Sequence, residues 1–232
     1  MGDEKADLDL LRRRMINVVG HELRTPITTL RGLAELLGTT EGDPEATEHL
    51  HAAVRRAARR AESLVDDLLV SAGVSTALPV SEPVPTDVVD AARAAWAELE
   101  DLPEGLDLEL DVPDGLAVLI HKGGLRRALA AVLDNAVRYG ALPVVLAAAV
   151  EGDSVRVAVR DAGPGIPAAD RALAVEPFFR GERAVTAGPG IGMGLALAAA
   201  LVAHHGGSLV IGEAEGGGAE VALVLPLAPA PP

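Results

Sequence analysis

An apolar seam within residues 45–73 constrains the fold of this chain more than any other feature. Its members recur at alternating steps of four and three residues, which keeps them on one stripe of a long helix. They are Leu50, Val54, Ala57, Ala61, Leu64 and Leu68. Four arginines between residues 55 and 60 fall off the stripe and are expected to form a solvated face. The seam needs an apolar partner, because it would otherwise remain in contact with water.

A second helix is predicted over residues 5–38, and turn residues at 38–44 join the two helices into an antiparallel hairpin. Pro26 lies where the apolar stripe of this helix shifts by about one position. Because a proline cannot donate to the carbonyl of Glu22, a local bend is expected there. Two amphipathic helices bury little apolar surface alone, so the hairpin is predicted to form a homodimer with a four-helix bundle.

The remainder of the chain has a different organisation. A proline-containing linker is predicted at residues 76–86, between a helical hairpin at 1–75 and a second domain at 87–232. The second domain has an α+β pattern, in which strand-like segments are interspersed with about three helices, beginning with a helix near 86–101. This pattern predicts a two-layer α/β sandwich with the strands on one face and the helices on the other.

The charge and composition exclude several classes of protein. The formal net charge is −14, and residues after position 75 hold 10 basic and 21 acidic side chains, so binding to nucleic acid is not expected. The chain has no cysteine for disulfides or thiolate metal sites. Its longest apolar run, residues 195–203, is too short to span a bilayer. We expect a cytoplasmic chain, associated with a membrane only if a sensor region precedes it in a longer protein.

Two polar segments of the second domain suggest a nucleotide site. Asn135 lies at the wet edge of a predicted helix with Arg138 one turn on, which suits a hydrated Mg²⁺ and phosphates, although a surface polar cluster is the alternative. Asp161 ends a predicted strand and could accept a hydrogen bond from an exocyclic amine such as that of adenine. Gly163 and Gly165 would let the backbone approach a planar ligand, although a tight turn with an incidental aspartate explains the pattern equally well.

Two further segments follow. Gly190, Gly192 and Gly194 precede the last predicted helix, and clustered amides at a helix N-terminus offer a site for phosphates. Their spacing is neither a P-loop nor a Rossmann fingerprint, and a flexible loop without ligand is the alternative. The segment between the two glycine-rich runs carries both phenylalanines, and Phe178 with Arg180 is interpreted as the anchor of a mobile lid.

Five segments in this order resemble the H, N, G1, F and G2 boxes of sensor histidine kinases. They are "GHELRTPIT", "LAAVLDNAVRYG", "RDAGPGIP", "EPFFRGE" and "GIGMGLALAAALVAHHGGSL". The resemblance extends from about residue 10 to residue 226. It implies a dimeric helical bundle that carries a phosphoaccepting histidine, and a sandwich of the Bergerat type that binds ATP and Mg²⁺. The phosphoryl group would then pass to an aspartate of a response regulator receiver domain.

The resemblance also implies roles for individual residues. His21 would accept the phosphoryl group, Glu22 would act as its general base or orienting partner, and Thr25 would orient water for dephosphorylating the regulator. Asn135 would hold Mg²⁺. The nucleotide would be bound by Arg138 and Tyr139 on the helix, by Asp161, Gly163 and Gly165 around adenine, by Phe178 and Arg180 in the lid, and by Gly190, Gly192 and Gly194 at the phosphates.

Departures from the family pattern keep one alternative open. Ala131 replaces the usual asparagine, His121 a common aspartate and Ala219 the usual threonine, and Val221 stands where phenylalanine is common. A degenerate, non-catalytic dimeric signalling adaptor is therefore the competing hypothesis. A zinc protease is set aside, since Thr25 stands where its helix requires a second histidine. Topoisomerases and chaperones with the same ATP-binding fold lack the hairpin that bears the histidine.

Overall fold

The structure is a computed structural model that describes residues 20, 23–38, 44–71, 82–99, 102, 106–182, 184 and 191–229. The chain divides into two compact units, Met1–Leu69 and Val70–Pro232. The boundaries at residues 75 and 86 that the sequence suggests remain predictions. Among the described residues, no helix combines the length and the apolar character needed to cross a lipid bilayer.

In the described part of the first unit there are two helices, α1 over residues 23–37 and α2 over Pro44–Ser71, the latter extending two residues past the unit boundary. Helix α1 continues through Pro26, whose side chain is buried, so the proline does not end the helix. The seam of α2 is half-buried at Leu50 and Val54. The predicted start of the first helix, near residue 5, lies outside the described residues. The helical hairpin region that the sequence predicts is thus confirmed.

The second unit is built on a five-stranded mixed sheet with the order β2-β4-β5-β7-β6. Strand β2 is parallel to β4, and the other neighbouring pairs are antiparallel. The strands are β2 (Glu109–Asp111), β4 (Val145–Glu151), β5 (Ser154–Arg160), β6 (Ser208–Glu213) and β7 (Ala219–Pro226). Period-two alternation directs Val155, Val157 and Val159 of β5 into the core, because successive side chains point to opposite faces of a strand.

Three helices of the described residues pack on that face of the sheet. They are α3 (Val88–Trp96), α4 (Lys122–Tyr139) and α5 (Gly194–His204). Leu129 and Leu133 of α4 and Leu201 of α5 are fully buried in one core with the valines of β5. Complete burial of a leucine side chain stabilises a fold by about 1.5–3 kcal/mol, so these contacts fix α4 and α5 on the sheet. The two-layer α/β arrangement predicted from the sequence is confirmed.

A small strand pair lies where the sequence suggested part of a linker and the start of a helix. Strand β1 (Val84–Asp87) pairs in antiparallel fashion with β3 (Ala117–Ile120). The Thr86 hydroxyl is buried and donates to the carbonyl of Ile120 at 2.9 Å, which explains why a polar residue is stable there. Pro85 is tolerated because, among the described strands, β1 pairs only with β3 and is therefore an edge strand. Asp87 then accepts from the amide of Asp90 and caps α3, so this helix begins at Val88 and is shorter than predicted.

Candidate functional site

The carboxylate of Asp161 lies just beyond the end of β5 and is the one ionisable side chain that is buried in the described part of the chain. Its Oδ1 accepts hydrogen bonds from the amide of Gly163 at 2.8 Å and from the amide of Ala219 at 3.4 Å. The backbone amide of Asp161 donates to the carbonyl of Ala219 at 3.1 Å. Both side-chain bonds fall on Oδ1, so Oδ2 is the oxygen that these contacts leave as an acceptor for a ligand.

Three backbone segments close around this carboxylate without space for side chains. A Cβ added at Gly140 would overlap Asp161, and a Cβ at Gly218 would overlap the carbonyl of Asp161. At Gly163 a Cβ would lie 2.5 Å from the Cα of Gly140, and at Gly165 it would lie 2.9 Å from the carbonyl oxygen of Gly218. The end of α4, the loop after β5 and the turn before β7 therefore form a smooth, backbone-lined wall. Such a wall suits a flat ligand.

Helix α4 brings its polar residues to the same place. Asn135, Arg138 and Tyr139 are three and four residues apart, so they share a face near the C-terminal end of the helix. The Nε of Arg138 donates to both carboxylate oxygens of Asp134 at 2.7 Å, which holds the guanidinium at the surface. The helix ends at Tyr139, and its C-cap residue Gly140 lies directly beside Asp161. The structure thus places the Asn135 segment and the Asp161 loop next to each other.

The predicted lid segment is joined to the loop before α5 through the backbone. The amide of Phe178 donates to the carbonyl of Gly192 at 2.9 Å. Both residues have a positive φ, 67° and 68°, and a Cβ at Gly192 would overlap the carbonyl of Phe179. A left-handed conformation is unusual for an aromatic residue, and it marks the point where the chain turns onto Gly192. The side chain of Arg180 donates to the carbonyl of Ala184, farther along the same segment.

Gly194 and Ala131 lie where the start of α5 meets α4. Gly194 is the first residue of α5, and a Cβ there would lie 3.5 Å from the carbonyl oxygen of Ala131 on α4. The glycine-rich loop therefore begins its helix beside the helix that carries Asn135. Gly190, by contrast, lies outside the described residues.

The phosphoacceptor segment is described only in part. His21 and Glu22 lie outside the described residues, whereas Thr25 is exposed on α1. The Thr25 carbonyl accepts from the hydroxyl of Thr29 at 3.1 Å, a helix-internal bond that leaves the backbone of the segment helical.

Sequence reasoning missed three residues around Asp161. Gly140 and Gly218 were not singled out, although a helix ending in "RYG" and a run of three glycines before a strand are both turn signals. Glu220 was also missed. Its carboxylate accepts from Nη2 of Arg156 at 2.6 Å and from Nε of Arg160 at 2.7 Å. Burial raises the pKa of Glu220, but the hydrogen bonds and positive charges of the two arginines outweigh burial and hold the pKa below its usual value.

Comparisons with known proteins agree with this geometry. Residues 121–229 match the family described as histidine kinase-, DNA gyrase B-, and HSP90-like ATPase, and residues 11–72 match the His Kinase A (phospho-acceptor) domain. The ATP-binding domain of PrrB from Mycobacterium tuberculosis is 30% identical with a TM-score of 0.52, and the match covers 64% of this chain and all of that one. The chain belongs to the sensor histidine kinases.

Longer relatives extend the similarity to both domains of the kinase core. The kinase/phosphatase MprB of Mycolicibacterium smegmatis is 34% identical over 230 residues, which cover 92% of this chain and 45% of MprB. Full-length ShkA, solved in complex with AMPPNP, is 30% identical with a TM-score of 0.66 over 94% of this chain and 46% of that chain. The chain therefore spans about half the length of these relatives.

One departure of this histidine kinase from its family, His121, lies at a contact between α4 and α5 that its backbone makes, and the histidine side chain forms no capping bond. His121 is the N-cap of α4, and its amide donates to Nε2 of His205 at 3.4 Å. The Nδ1 of His205 lies 2.9 Å from the carbonyl of Leu201, so this nitrogen carries the proton and Nε2 is the acceptor. His121 thus helps to join the start of α4 to the end of α5.

In the described part of the chain, no group of three or more His, Asp or Glu residues is arranged to hold a metal ion.

Proposed function

We propose that this chain is the catalytic core of an ATP-dependent histidine kinase that phosphorylates His21 and passes the phosphoryl group to an aspartate of a response regulator. The observation that carries the proposal is the buried Asp161 carboxylate, held by two backbone amides inside a glycine-lined wall. A fixed carboxylate acceptor selects a base that presents an amine, because the carbonyl of guanine would face it with like partial charge. ShkA, which shares this fold, was solved with an adenine nucleotide analogue.

The reaction requires a nucleophilic imidazole and a protected nucleotide. A nitrogen of His21 would attack the γ-phosphorus as the bond to the β,γ-bridging oxygen breaks, ADP leaves, and Glu22 receives the imidazole proton. Mg²⁺, when bound, would neutralise charge on the phosphates. Asn135 fits such an ion, since it is half-buried on the face of α4 that also carries Arg138 and Tyr139, and a single amide oxygen suits a cation that keeps waters and phosphates as its other ligands.

We propose that Arg138 and the segment from Phe178 to Arg180 complete the phosphate end of the site. Arg138 would exchange one of its bonds to Asp134 for a phosphate oxygen, which its exposed position on α4 permits. The bond from the Phe178 amide to Gly192 keeps the base of the lid next to the loop that leads to Gly194. We propose that the core binds ATP and works in the cytoplasm.

We propose a homodimer through the helical unit. Ile27 and Leu36 of α1 are 57% and 53% exposed, and Val65 of α2 is 43% exposed. A second copy of the chain is the economical cover for these exposed apolar side chains. Thr25, exposed one helical turn after His21, is proposed to orient water in the dephosphorylation of the regulator.

The degenerate adaptor is the second candidate function. Ala131 favours it, because the usual asparagine at this position would place another polar group near the metal. Ala131 instead lies against Gly194, so this position forms part of the contact between α4 and α5.

Titration calorimetry with ATP, in the presence and absence of Mg²⁺, separates the two candidates. A kinase core should bind ATP more tightly with Mg²⁺ than without it and should bind GTP more weakly than ATP. The absence of measurable ATP binding under both conditions would favour the adaptor.

A further inference from the structure

A cluster of three charged residues lies on the face of the sheet that points away from the helices. It consists of Glu220 on β7 with Arg156 and Arg160 on β5, and we call it the Glu220 cluster. Arg160 is directly opposite Glu220 in the strand register. The two carboxylate oxygens accept separate bonds of 2.6 and 2.7 Å, and the glutamate side chain is only 15% exposed. Charge-assisted bonds of this length are strong and directional.

The next residue pair along the same two strands belongs to the nucleotide pocket. Asp161 follows Arg160, and Ala219 precedes Glu220. The backbone amide of Asp161 donates to the carbonyl of Ala219 at 3.1 Å, and the Ala219 amide donates to the Asp161 carboxylate at 3.4 Å. Because side chains alternate between the faces of a strand, the cluster and the carboxylate lie on opposite sides of one pair of strand ends.

The turn before β7 is closed by backbone bonds between Ala214 and two of its glycines, and its three glycines have no side chains that could anchor it. Gly216, Gly217 and Gly218 are consecutive and have φ values of 93°, 100° and 96°. Glycine loses more conformational freedom on ordering than any other residue, so a run of three requires an anchor nearby. Ala219 contributes only a methyl group on the pocket side. The first side chain after the turn that makes charged bonds is therefore that of Glu220.

We propose that Glu220, through Arg156 and Arg160, is a positioning residue for Asp161 and thereby contributes to adenine selectivity. The proposal rests on the proposed nucleotide site. Ion pairing on the outer face fixes the ends of β5 and β7, and these ends carry the amide of Ala219 to the Asp161 carboxylate. The lowered pKa of Glu220 agrees with this arrangement, because the two arginines favour the ionised form of the carboxylate.

The first test measures backbone hydrogen exchange by NMR on the nucleotide-free full chain. Glu220→Gln should accelerate exchange at the amides of Gly163 and Ala219 by about tenfold, because local opening follows the loss of the anchor. Amides in the middle of β7, such as that of Leu223, should exchange at the wild-type rate. Unchanged exchange at Gly163 and Ala219 would overturn the proposal. Arg160→Gln, which leaves the bond from Arg156 intact, provides a milder variant with the same expected direction.

The second test measures Kd for ATP and for GTP. Glu220→Gln should raise the Kd for ATP by about tenfold and reduce the preference for ATP over GTP. The double variant with Arg160→Gln should have a Kd for ATP no higher than that of the weaker-binding single variant, because both changes break the same cluster. Glu98→Gln, which breaks the ion pair that joins the turn after α3 to Arg126 on α4, is the matched control and should leave both constants unchanged. A lower Tm with unchanged Kd values would show a purely structural role and would overturn the proposal. If wild type itself fails to bind ATP, the proposed function fails, whereas the exchange experiment still decides the positioning role.

Discussion

Gly163→Ala should weaken ATP binding by adding a single methyl group. Gly163 donates its amide to Oδ1 of Asp161 at 2.8 Å and packs against the backbone of Gly140. The added Cβ would lie 2.5 Å from the Cα of Gly140, 2.7 Å from its carbonyl carbon and 2.9 Å from the nitrogen of Ala141. All three atoms belong to the backbone, so a rotamer change cannot relieve the overlap.

The magnitude follows from the displacement that the methyl group requires. Carbon atoms in contact prefer a separation of about 3.5–4.0 Å, so the loop must move by roughly 1 Å from Gly140. Overpacking of this kind costs about 1–3 kcal/mol. A shift of that size also breaks the amide bond to the Asp161 carboxylate, and a hydrogen bond to a charged group contributes about 1.5–3 kcal/mol. Since about 1.4 kcal/mol corresponds to a tenfold change in affinity, we expect the Kd for ATP to rise by roughly 10- to 100-fold.

Titration calorimetry with Mg-ATP on the full chain measures this effect, and thermal unfolding shows whether the variant is folded. Gly212→Ala is the matched control, because it adds a methyl group on β6 whose nearest neighbour would be the Glu220 carbonyl oxygen at 4.0 Å. The control should bind ATP as wild type does. A folded Gly163→Ala variant with wild-type affinity would refute the placement of adenine against this wall.

Three other predictions concern the pocket, the histidine segment and the dimer. Asp161→Asn should weaken ATP binding by about 1–3 kcal/mol with or without Mg²⁺, because a donor replaces an acceptor. Asn135→Ala should mainly abolish the Mg²⁺-dependent part of ATP binding. Titration calorimetry with and without Mg²⁺ distinguishes the two effects. Thr25→Ala should keep autophosphorylation and lose most phosphatase activity toward the regulator, while Glu22→Ala should lose autophosphorylation first. Equal loss of both activities in both variants would contradict separate roles for the two residues. An isolated fragment of residues 5–73 should sediment as a dimer at micromolar concentration, and a monomer would contradict the proposed bundle.

The fold was largely predictable because its strongest signals are local and periodic. The seam of α2 and the alternation Val155, Val157, Val159 each identify an element from a few residues, and the alternation also identifies the buried face of β5. Strand β1 was not predictable in this way. Its stability comes from pairing with β3, more than thirty residues later, and from the bond between the Thr86 hydroxyl and the Ile120 carbonyl. A proline-rich segment therefore had the composition of a linker while its long-range partners made it a strand.

The pocket shows a similar division. Asp161 was recognisable because a carboxylate followed by spaced glycines is a local pattern. The reason for the glycines was only partly predictable, since Gly163 and Gly165 are needed for the approach of Gly140 and Gly218 as well as for any ligand. The Glu220 cluster leaves no local pattern, because its arginines lie about sixty residues before the glutamate and meet it only through strand register.

Phosphorylation with ATP labelled on the γ-phosphate is the most direct test of the central claim. Wild type and His21→Gln are incubated with the labelled ATP and Mg²⁺, and the protein is then treated with acid or alkali. We predict that wild type becomes labelled, that the label is lost in acid and survives alkali as expected for a phosphoramidate, and that His21→Gln remains unlabelled. Label in His21→Gln at the wild-type level would contradict the assignment of His21 as the phosphoacceptor.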